Sequence, residues 1–320
     1  MKSLRPEILI LSNKYDFASD YIAAELRKRR KPYLRLNQED FVNMDINLFP
    51  IESKLAGKFE NIKFEITNKS LKSIFFRRPT FLRDNYNPNL TPIEQLSRTQ
   101  WAAFNRGLMI FKDCLWINHP KATYAAESKP FQIHMAKAVG FKIPKTIITN
   151  TDKAINNYFP GQKRLAIKTV DSVVLKISKK DAFIYTNPIS VSNIRRKTLS
   201  SSPAIFQEFL SNKIDVRVTV VNNRTFSVSI QSGKNGVDGD WRLMKDKVNY
   251  LPLELPRNIH NICVRLVKAL GLCFGAIDLA MVDNEYYFLE INPTGEWSWL
   301  VDCANLPIDS AIVDLLCSNN

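Results

Sequence analysis

The sequence lacks several features that define whole classes of protein. No stretch approaches the roughly 20 consecutive apolar residues of a membrane-spanning helix, and the first residues contain too short an apolar run for a secretory signal. We therefore expect a cytoplasmic protein without a membrane partner. Histidine is also scarce, and the three histidines lie too far apart in the chain to form a local metal-binding motif.

Cysteine is another sparse residue. The five cysteines are odd in number, widely spaced and surrounded by apolar neighbours, which disfavours a disulfide framework or a zinc site. We interpret them as small buried hydrophobic side chains. The 320 residues also show no internal repeat, and their 45% hydrophobic content is enough to build two or three small lobes.

Acidic residues are outnumbered, and the formal net charge is +14. Such an excess attracts anions over long range, so we expect a polyanionic partner, either nucleic acid or a nucleotide triphosphate together with an acidic peptide. The densest basic clusters, residues 27–31, 176–180 and 195–197, lack the interleaved aromatic residues of a single-strand binding surface. This pattern disfavours nucleic acid, although each cluster is also compatible with a solvated face.

The N-terminal part of the chain predicts an α/β lobe with a parallel sheet. A buried strand at residues 7–12 is followed by a helix at 17–30 and a strand at 33–37, which is a βαβ unit, and another short strand is expected at 73–77. We place the end of this lobe at residue 120.

A capping box predicts the start of the next helix. Thr91 is followed by Pro92 at the first helical position and by Glu94 three residues after the threonine. We expect this helix to run to about residue 112.

Residues 121–206 are rich in predicted strands and poor in helix, which indicates a small lid lobe. A helix beginning at residue 128 should stop at Gly140. The predicted strands are 145–149, 165–170, 173–177 and 183–186.

Residues 207–320 predict a C-terminal lobe with a mixed sheet. Strands at 216–221 and 225–230 precede a glycine-containing loop at 232–240 and a helix that ends at Gly271. Together the three regions predict an α/β protein made of α+β lobes.

Two further apolar strands, 276–282 and 286–291, flank the turn residues Asp283 and Asn284, which is the pattern of an antiparallel hairpin. Because side chains alternate along a strand, Glu290 and Asn292 should share one face, where Asp278 of the partner strand can meet them. Carboxylates in an apolar hairpin need a counter-charge, and Mg²⁺ with substrate phosphates supplies one. A structural network with nearby Lys or Arg is the alternative.

At this hairpin the sequence resembles the magnesium motif of the ATP-grasp superfamily, and its continuation resembles the graspetide synthetases, which are microviridin-type peptide macrocyclases. The resemblance extends in order over most of the chain. Its segments are FFRRPT (75–80), KPFQIHMAKAVGFKIPKTIITN (129–150), IYTNPIS (184–190), IFQEFLSNKIDVRVTVV (205–221), DWR (240–242), FLEINPTG (288–295) and GEWSWL (295–300).

The resemblance implies an ATP-grasp fold and roles for particular residues. Lys129 and Lys168 match the lysines that hold nucleotide phosphates. Ordinary surface charge is the alternative, and it suits Lys129 better than Lys168, which lies in the apolar strand LAIKTV. The hinge between lid and C-terminal lobe, which meets the adenine, is matched by Gln207, Glu208, Phe209 and Leu210. Without the resemblance, these four residues would be a strand end.

Three more residues are implied to take part in the reaction. Arg217 and Arg242 are candidates to hold the γ-phosphate and the substrate carboxylate, because guanidinium groups bind such oxyanions with two hydrogen bonds. Arg242 and Asp215 are candidates for the oxyanion stabiliser and the base of the second step. Structural ion pairs are the alternative for both arginines.

Two positions depart from the family pattern. Residues 169–184 contain no glycine, whereas many ATP-grasp lids carry a glycine-rich loop over the phosphates. Glu296 stands where the graspetide enzymes lead us to expect glutamine, which affects the expected recognition of substrate.

The resemblance implies an ATP- and Mg²⁺-dependent ligase. It would convert Glu or Asp side chains of an acidic precursor peptide into acyl phosphates and then into intramolecular esters or amides. The alternatives are an ATP-grasp ligase that adds an amino acid to a carboxylate, and a non-catalytic nucleotide-binding or RNA-binding module. A homodimer is compatible with the sequence.

Overall fold

The computed structural model describes residues 2–77, 90–171, 174–177, 180–183, 186–232, 236 and 239–318. Part of the FFRRPT motif and parts of the lid and of the 232–240 loop therefore lie outside the described residues. Within the described part of the chain, no helix combines the length and the apolar character that a membrane crossing requires.

The N-terminal region contains two four-stranded sheets. Its elements are β1 (Lys2–Leu4), β2 (Ile8–Ser12), α1 (Phe17–Lys28), β3 (Tyr33–Asn37), β4 (Asp45–Phe49), β5 (Lys54–Phe59), β6 (Ile62–Thr67), β7 (Ser73–Phe76), α2 (Pro92–Gly107) and β8 (Leu115–Ile117). The order β3-β2-β7-β8 is parallel throughout, which confirms the predicted βαβ unit and parallel sheet. The second sheet, β1-β6-β5-β4, was not predicted.

The central strand β2 explains why this region needs layers on both sides. All five of its residues are buried. Ile8 and Ile10 face the core formed with α1, whereas Leu9 and Leu11 face a second core that includes Leu55 of β5. A parallel strand covered on both faces therefore reads as a continuous apolar run.

The capping box of α2 is confirmed. Thr91 Oγ1 accepts from the amide of Glu94, the Glu94 carboxylate accepts from the amide of Thr91, and Pro92 lies in the first turn. The α-helix ends at Gly107 and a 3-10 turn carries the chain to Ile110, so the predicted end near residue 112 is close.

The middle of the chain contributes two separate groups of elements. They are α3 (Pro120–Ala126), α4 (Lys129–Ala138), β9 (Thr146–Thr149), α5 (Asp152–Tyr158), β10 (Arg164–Thr169), β11 (Val174–Ile177), β12 (Lys180–Phe183), β13 (Asn187–Ser190), α6 (Arg196–Leu199) and β14 (Ala204–Glu208). An antiparallel sheet, which we call the lid sheet, has the order β13-β10-β14-β9. Separately, β11 pairs with β12. The strand predicted at 183–186 lies earlier, at β12, and residues 184–185 are outside the described residues.

Helix α4 packs away from the lid sheet, because its Ala136 lies in the hydrophobic core of the C-terminal sheet. Gln132 of α4 also binds the edge of that sheet, donating to Ile291 O at 2.8 Å and accepting from Ile291 N at 3.1 Å. The lobe boundaries at residues 120 and 206 remain a prediction.

The C-terminal region is built on a five-stranded sheet. Its elements are β15 (Ile214–Val221), β16 (Arg224–Gln231), β17 (Asn249–Pro252), α7 (Arg257–Ala269), β18 (Phe274–Val282), β19 (Glu285–Asn292), α8 (Ser298–Ala304) and α9 (Ile308–Cys317). The order β17-β16-β15-β18-β19 is antiparallel, and a bridge between Lys142 and Tyr287 adds one parallel pairing.

The interpretation of the cysteines is only partly right. All five are free thiols; Cys114 and Cys263 are buried, Cys273 and Cys317 are half-buried, and Cys303 is exposed. Cys303 and the preceding Asp302 are both exposed on the outer face of α8. The prediction that Cys303 is buried, which was based on its apolar neighbours in sequence, is therefore wrong.

Candidate functional site

The centre of the site is a row of charged residues across three strands of the C-terminal sheet. Arg217 of β15 lies opposite Asp278 of β18, which in turn lies opposite Glu290 of β19. The antiparallel hairpin of β18 and β19 is confirmed, and its turn residues Asp283 and Asn284 both have positive φ. Strand pairing therefore brings together residues that are far apart in the sequence.

A β-bulge decides which way Glu290 faces. Phe288 pairs with Leu279 and Glu290 with Asp278, so Leu289 is the extra residue in β19. Consequently Phe288 and Ile291 both enter the hydrophobic core. The bulge reverses the alternation, which turns Glu290 and Asn292 toward the other face of the sheet.

The Arg217 guanidinium holds Asp278 tightly. Arg217 Nη1 lies 2.8 Å from Asp278 Oδ1 and 3.0 Å from Oδ2, and Arg217 Nη2 donates to the carbonyl of Glu296 at 3.1 Å. Burial raises the pKa of the Asp278 carboxyl, against the opposing charge of Arg217. Arg217 therefore forms the structural ion pair that was the alternative to a substrate-binding role, and its partner is Asp278.

Glu290 lies among several cations but is held more loosely. Its Oε1 lies 3.5 Å from Arg242 Nη1. Burial would raise the pKa of Glu290, yet the charges of Arg242, Lys168 and Lys129 together hold this pKa below its usual range. This carboxylate is therefore ionised and faces positive charge.

Arg242 is fixed by the preceding acid in the DWR motif. Its Nε and Nη2 donate to the two oxygens of Asp240 at 2.8 and 2.7 Å, and its amide donates to Asp240 Oδ1 at 3.0 Å. The bidentate pair fixes the orientation of the guanidinium, which leaves Nη1 directed toward Glu290.

A second ion pair lies beside this group. Lys213 Nζ is 2.5 Å from Asp215 Oδ2. Burial raises the pKa of Asp215 to about 6, an effect that Lys213 opposes and that Asp278 and Asp240 reinforce. Lys213 was missed in the sequence, although Lys213, Asp215 and Arg217 have the spacing of one strand face.

A cleft lies between the C-terminal sheet and the lid sheet, and most of these charged residues line it. A cleft lined by apolar walls and a few convergent charged groups is typical of a small-molecule site. The predicted residues on its wall are Lys168, Gln207, Glu208, Phe209, Leu210, Asp215, Arg242, Asp278 and Glu290. Arg217, Lys129 and Asn292 are not part of this wall.

Lys168 projects from β10 of the lid sheet into the cleft, on the face opposite Ile167, which packs in the lid core. Burial lowers the pKa of Lys168, as do Lys129 and Arg242, whereas Glu290 raises it. Lys129 instead reaches from α4 to the end of the same strand, where its Nζ donates to Thr169 O at 3.0 Å. The two predicted lysines therefore differ in position.

The four predicted hinge residues all line the cleft. Gln207 Nε2 donates to Thr146 Oγ1 at 2.9 Å, and the amide of Glu208 donates to Lys145 O at 2.8 Å. The Phe209 ring is covered by the Arg164 guanidinium, 4.0 Å from its centroid. These contacts hold the hinge residues against the ends of β9 and β10 in the same sheet.

The donor set at the hairpin fits a hard cation. Asp278 and Glu290 are neighbouring carboxylates and Asn292 follows two residues after Glu290, so all three offer the oxygen ligands that Mg²⁺ prefers. Among the described residues, no group of three His, Cys, Asp or Glu side chains could hold a metal ion. The amide oxygen of Asn292 would add a third protein ligand to the two carboxylates.

Comparison with known proteins gives a match in structure only. No protein-family model and no curated protein sequence matches the chain. The fold is similar to the RiPP-associated ATP-grasp ligase of Chryseobacterium gregarium in complex with ADP and a leader and core peptide, with a TM-score of 0.82, 22% identity and coverage of 99% of this chain and 97% of that one.

Two enzymes of Microcystis aeruginosa are similar as well. Macrocyclase MdnC, bound with precursor peptide MdnA, has a TM-score of 0.80 at 21% identity, with 97% of this chain and 98% of that chain covered. Macrocyclase MdnB has a TM-score of 0.75 at 23% identity, with 100% of each chain covered. These likenesses establish that the chain has the ATP-grasp fold, as the sequence resemblance implied.

Proposed function

We propose that this ATP-grasp chain is a ligase that uses ATP to condense Glu or Asp side chains of a precursor peptide with hydroxyl or amino side chains of the same peptide. The observation that carries the proposal is the row of Arg217, Asp278 and Glu290 at the cleft between the lid and C-terminal sheets. The likeness to a ligase in complex with ADP and peptides, and to a macrocyclase bound with its precursor peptide, supports it further.

The nucleotide would lie between the two sheets. The hinge from Gln207 to Leu210 would bind the adenine end, and Lys168 would meet the phosphates as a point charge. Asp278, Glu290 and Asn292 would hold Mg²⁺, which neutralises phosphate charge.

The proposed reaction has two steps, phosphoryl transfer to the peptide carboxylate and then acyl transfer to the nucleophile. A peptide carboxylate oxygen bonds to the γ-phosphorus while the bond to ADP breaks; a hydroxyl or amine then bonds to the acyl carbon and inorganic phosphate leaves. Arg242, oriented by Asp240, would hold the reacting carboxylate, and Asp215 would accept the proton of the nucleophile above pH 6.

The net charge of +14 fits an acidic peptide substrate.

A homodimer is also part of the proposal. Light scattering of the purified protein tests this oligomeric state.

Mass spectrometry tests the reaction. The enzyme is incubated with ATP, Mg²⁺ and an acidic peptide rich in Thr, Lys and Glu that is encoded beside its gene. We expect ATP-dependent loss of one water per ring, which disappears when the peptide's Glu and Asp are replaced by Gln and Asn. A mass gain in the presence of free amino acids would favour an amino-acid ligase, and an unmodified peptide would contradict the proposal.

A further inference from the structure

The segment that follows Asn292 is held by side chains from outside it. Its four carbonyls each accept a hydrogen bond: Pro293 O from Asn118 at 2.8 Å, Thr294 O and Gly295 O from Arg77, and Glu296 O from Arg217 at 3.1 Å. We call residues 293–296 the metal loop. A segment with every carbonyl bound has little freedom to move.

Arg77 makes the largest share of these contacts. Its Nη1 donates to Thr294 O and, at 3.2 Å, to Gly295 O, while its Nη2 lies 2.5 Å from Glu296 Oε2. Its Nε donates to Asp16 Oδ1 at 3.1 Å. All three nitrogens of the guanidinium are therefore engaged.

The position of Arg77 is rigid on the N-terminal side. It follows β7, the strand beside the central β2, and its side chain is 6% exposed. Its partner Asp16 is itself fixed, because Asp16 Oδ2 accepts from Ser12 Oγ at 3.0 Å and from the amide of Ser19 in α1 at 3.1 Å. Arg77 thus ties the parallel sheet to the metal loop.

Glu296 connects Arg77 to the start of α8. While its Oε2 binds Arg77, its Oε1 accepts from the amides of Trp297 and Ser298 at 3.0 and 2.9 Å. The start of α8 is therefore held by the same carboxylate, and the departure from the expected glutamine at this position provides the anion that Arg77 needs.

The metal loop is also packed directly on the charged row. A Cβ at Gly295 would collide with Ala276 and lie 3.1 Å from both Arg217 Nη2 and Asn292 Cβ. Arg217 binds Glu296 O with one nitrogen and Asp278 with the other. A shift of the metal loop would therefore displace Asn292 and the partner of Asp278 together.

We propose that Arg77 is a positioning residue: by holding the metal loop through Thr294, Gly295 and Glu296, it sets the geometry of the Mg²⁺ site from the N-terminal lobe. The inference rests on the proposed function, because it assumes that Asp278, Glu290 and Asn292 hold the metal. It gives the parallel sheet a part in catalysis without contact with substrate.

Titration of ADP into Arg77→Met, with saturating Mg²⁺ and with EDTA, tests this inference. In the wild type, Mg²⁺ should strengthen ADP binding; in Arg77→Met, that gain should shrink about tenfold while affinity without metal stays unchanged. Hydrogen exchange of the metal-free protein supplies a second reading. The amides of Gly295, Trp297 and Ser298 should exchange at least tenfold faster in the variant.

Arg29→Met is the matched control. Arg29, which directly follows α1, also joins the N-terminal lobe to the C-terminal region, through Asp314 at 2.6 Å and Ser310 Oγ at 2.6 Å, but it does not touch the metal loop. Arg29→Met should keep the full effect of Mg²⁺ and the slow exchange of these amides.

The outcomes separate the inference from the proposed function. An unchanged gain from Mg²⁺ in Arg77→Met, or an equal loss in Arg29→Met, would overturn the positioning role alone. A wild type that binds ADP equally with and without Mg²⁺ would overturn both. If Arg77→Met fails to fold, Glu296→Gln replaces it, since glutamine can still cap the amides but removes the charge that binds Arg77. Because the bonds of Arg77 to Thr294 O and Gly295 O remain, the gain from Mg²⁺ should shrink less than tenfold, and an unchanged gain would overturn the positioning role.

Discussion

The two faces of the C-terminal sheet are made by the same strands and have opposite chemistry. On one face, Val218, Ile277 and Phe288 are fully buried in an apolar core under α4 and α7. On the other, Asp278 and Glu290 stand among arginines and a lysine beside the cleft. The first face provides stability and the second tolerates buried charge because each charge has a partner.

The difference depends on a single extra residue. Without the bulge at Leu289, strict alternation would place Glu290 on the face of Phe288, inside the apolar core. The bulge keeps Phe288 and Ile291 in the core and Glu290 in the cleft. A substitution of Phe288 should therefore act mainly on stability, whereas a substitution of Glu290 should act mainly on the chemistry.

The largest expected effect is on the charged face. Glu290→Gln removes an anionic oxygen donor without opening a cavity, so ATP turnover should fall by at least about 1,000-fold, equivalent to about 4 kcal/mol, while the melting temperature stays near that of the wild type. Coupled ADP-release kinetics measure the first quantity and calorimetry the second.

Glu285→Gln is the control for this change. It is the same substitution on the same strand, but Glu285 is exposed and pairs with Lys142 at 2.8 Å. ATP turnover by Glu285→Gln should equal that of the wild type. Full turnover in Glu290→Gln as well would remove this carboxylate from the metal site.

The next effect concerns the apolar face. Phe288→Ala leaves a cavity next to Phe141, whose ring lies 5.6 Å away, and should lower the free energy of unfolding by roughly 3–4 kcal/mol. ADP affinity should stay within twofold. Leu289→Ala, one residue later on the cleft wall, should give the reverse pattern: a smaller stability loss in urea titrations and weaker ADP binding.

The hairpin shows how far the sequence could predict the site. The turn at Asp283 and Asn284 was readable from residue types, and the pairing of Asp278 with Glu290 is confirmed. The metal-binding role of Asp278, Glu290 and Asn292 stays a prediction. The bulge was not foreseen. Its signal was present, because strict alternation places Phe288 and Glu290 on one face although one is apolar and the other charged.

Contacts between segments that are distant in the sequence could not be predicted from it. The bond from Arg77 to Glu296 spans 219 residues, and only the packing of the N-terminal sheet on the C-terminal region creates it. The antiparallel strands β4, β5 and β6 were missed although a signal was present, because Ile62, Phe64 and Ile66 of β6 alternate with polar residues and the last two are buried.

The smallest effect concerns Asp215, the acid whose pKa burial raises from 3.8 to about 6. Because the folded state holds this proton more tightly, stability should fall as pH rises from about 4 to about 6, by up to about 3 kcal/mol, and should not change further above pH 6. Asp215→Asn cannot titrate and should lose this part of the pH dependence. Urea unfolding at several pH values measures it; identical curves for both proteins would reject the raised pKa.

The central claim is that a peptide carboxylate is activated by phosphoryl transfer in this cleft. Following ¹⁸O from the carboxylates of a labelled acidic peptide into inorganic phosphate tests it most directly, because the leaving phosphate keeps the oxygen that bridged carbon and phosphorus. The account predicts one ¹⁸O atom in each phosphate released with ring formation, and no release of labelled phosphate by Glu290→Gln. Rings formed with unlabelled phosphate would contradict it.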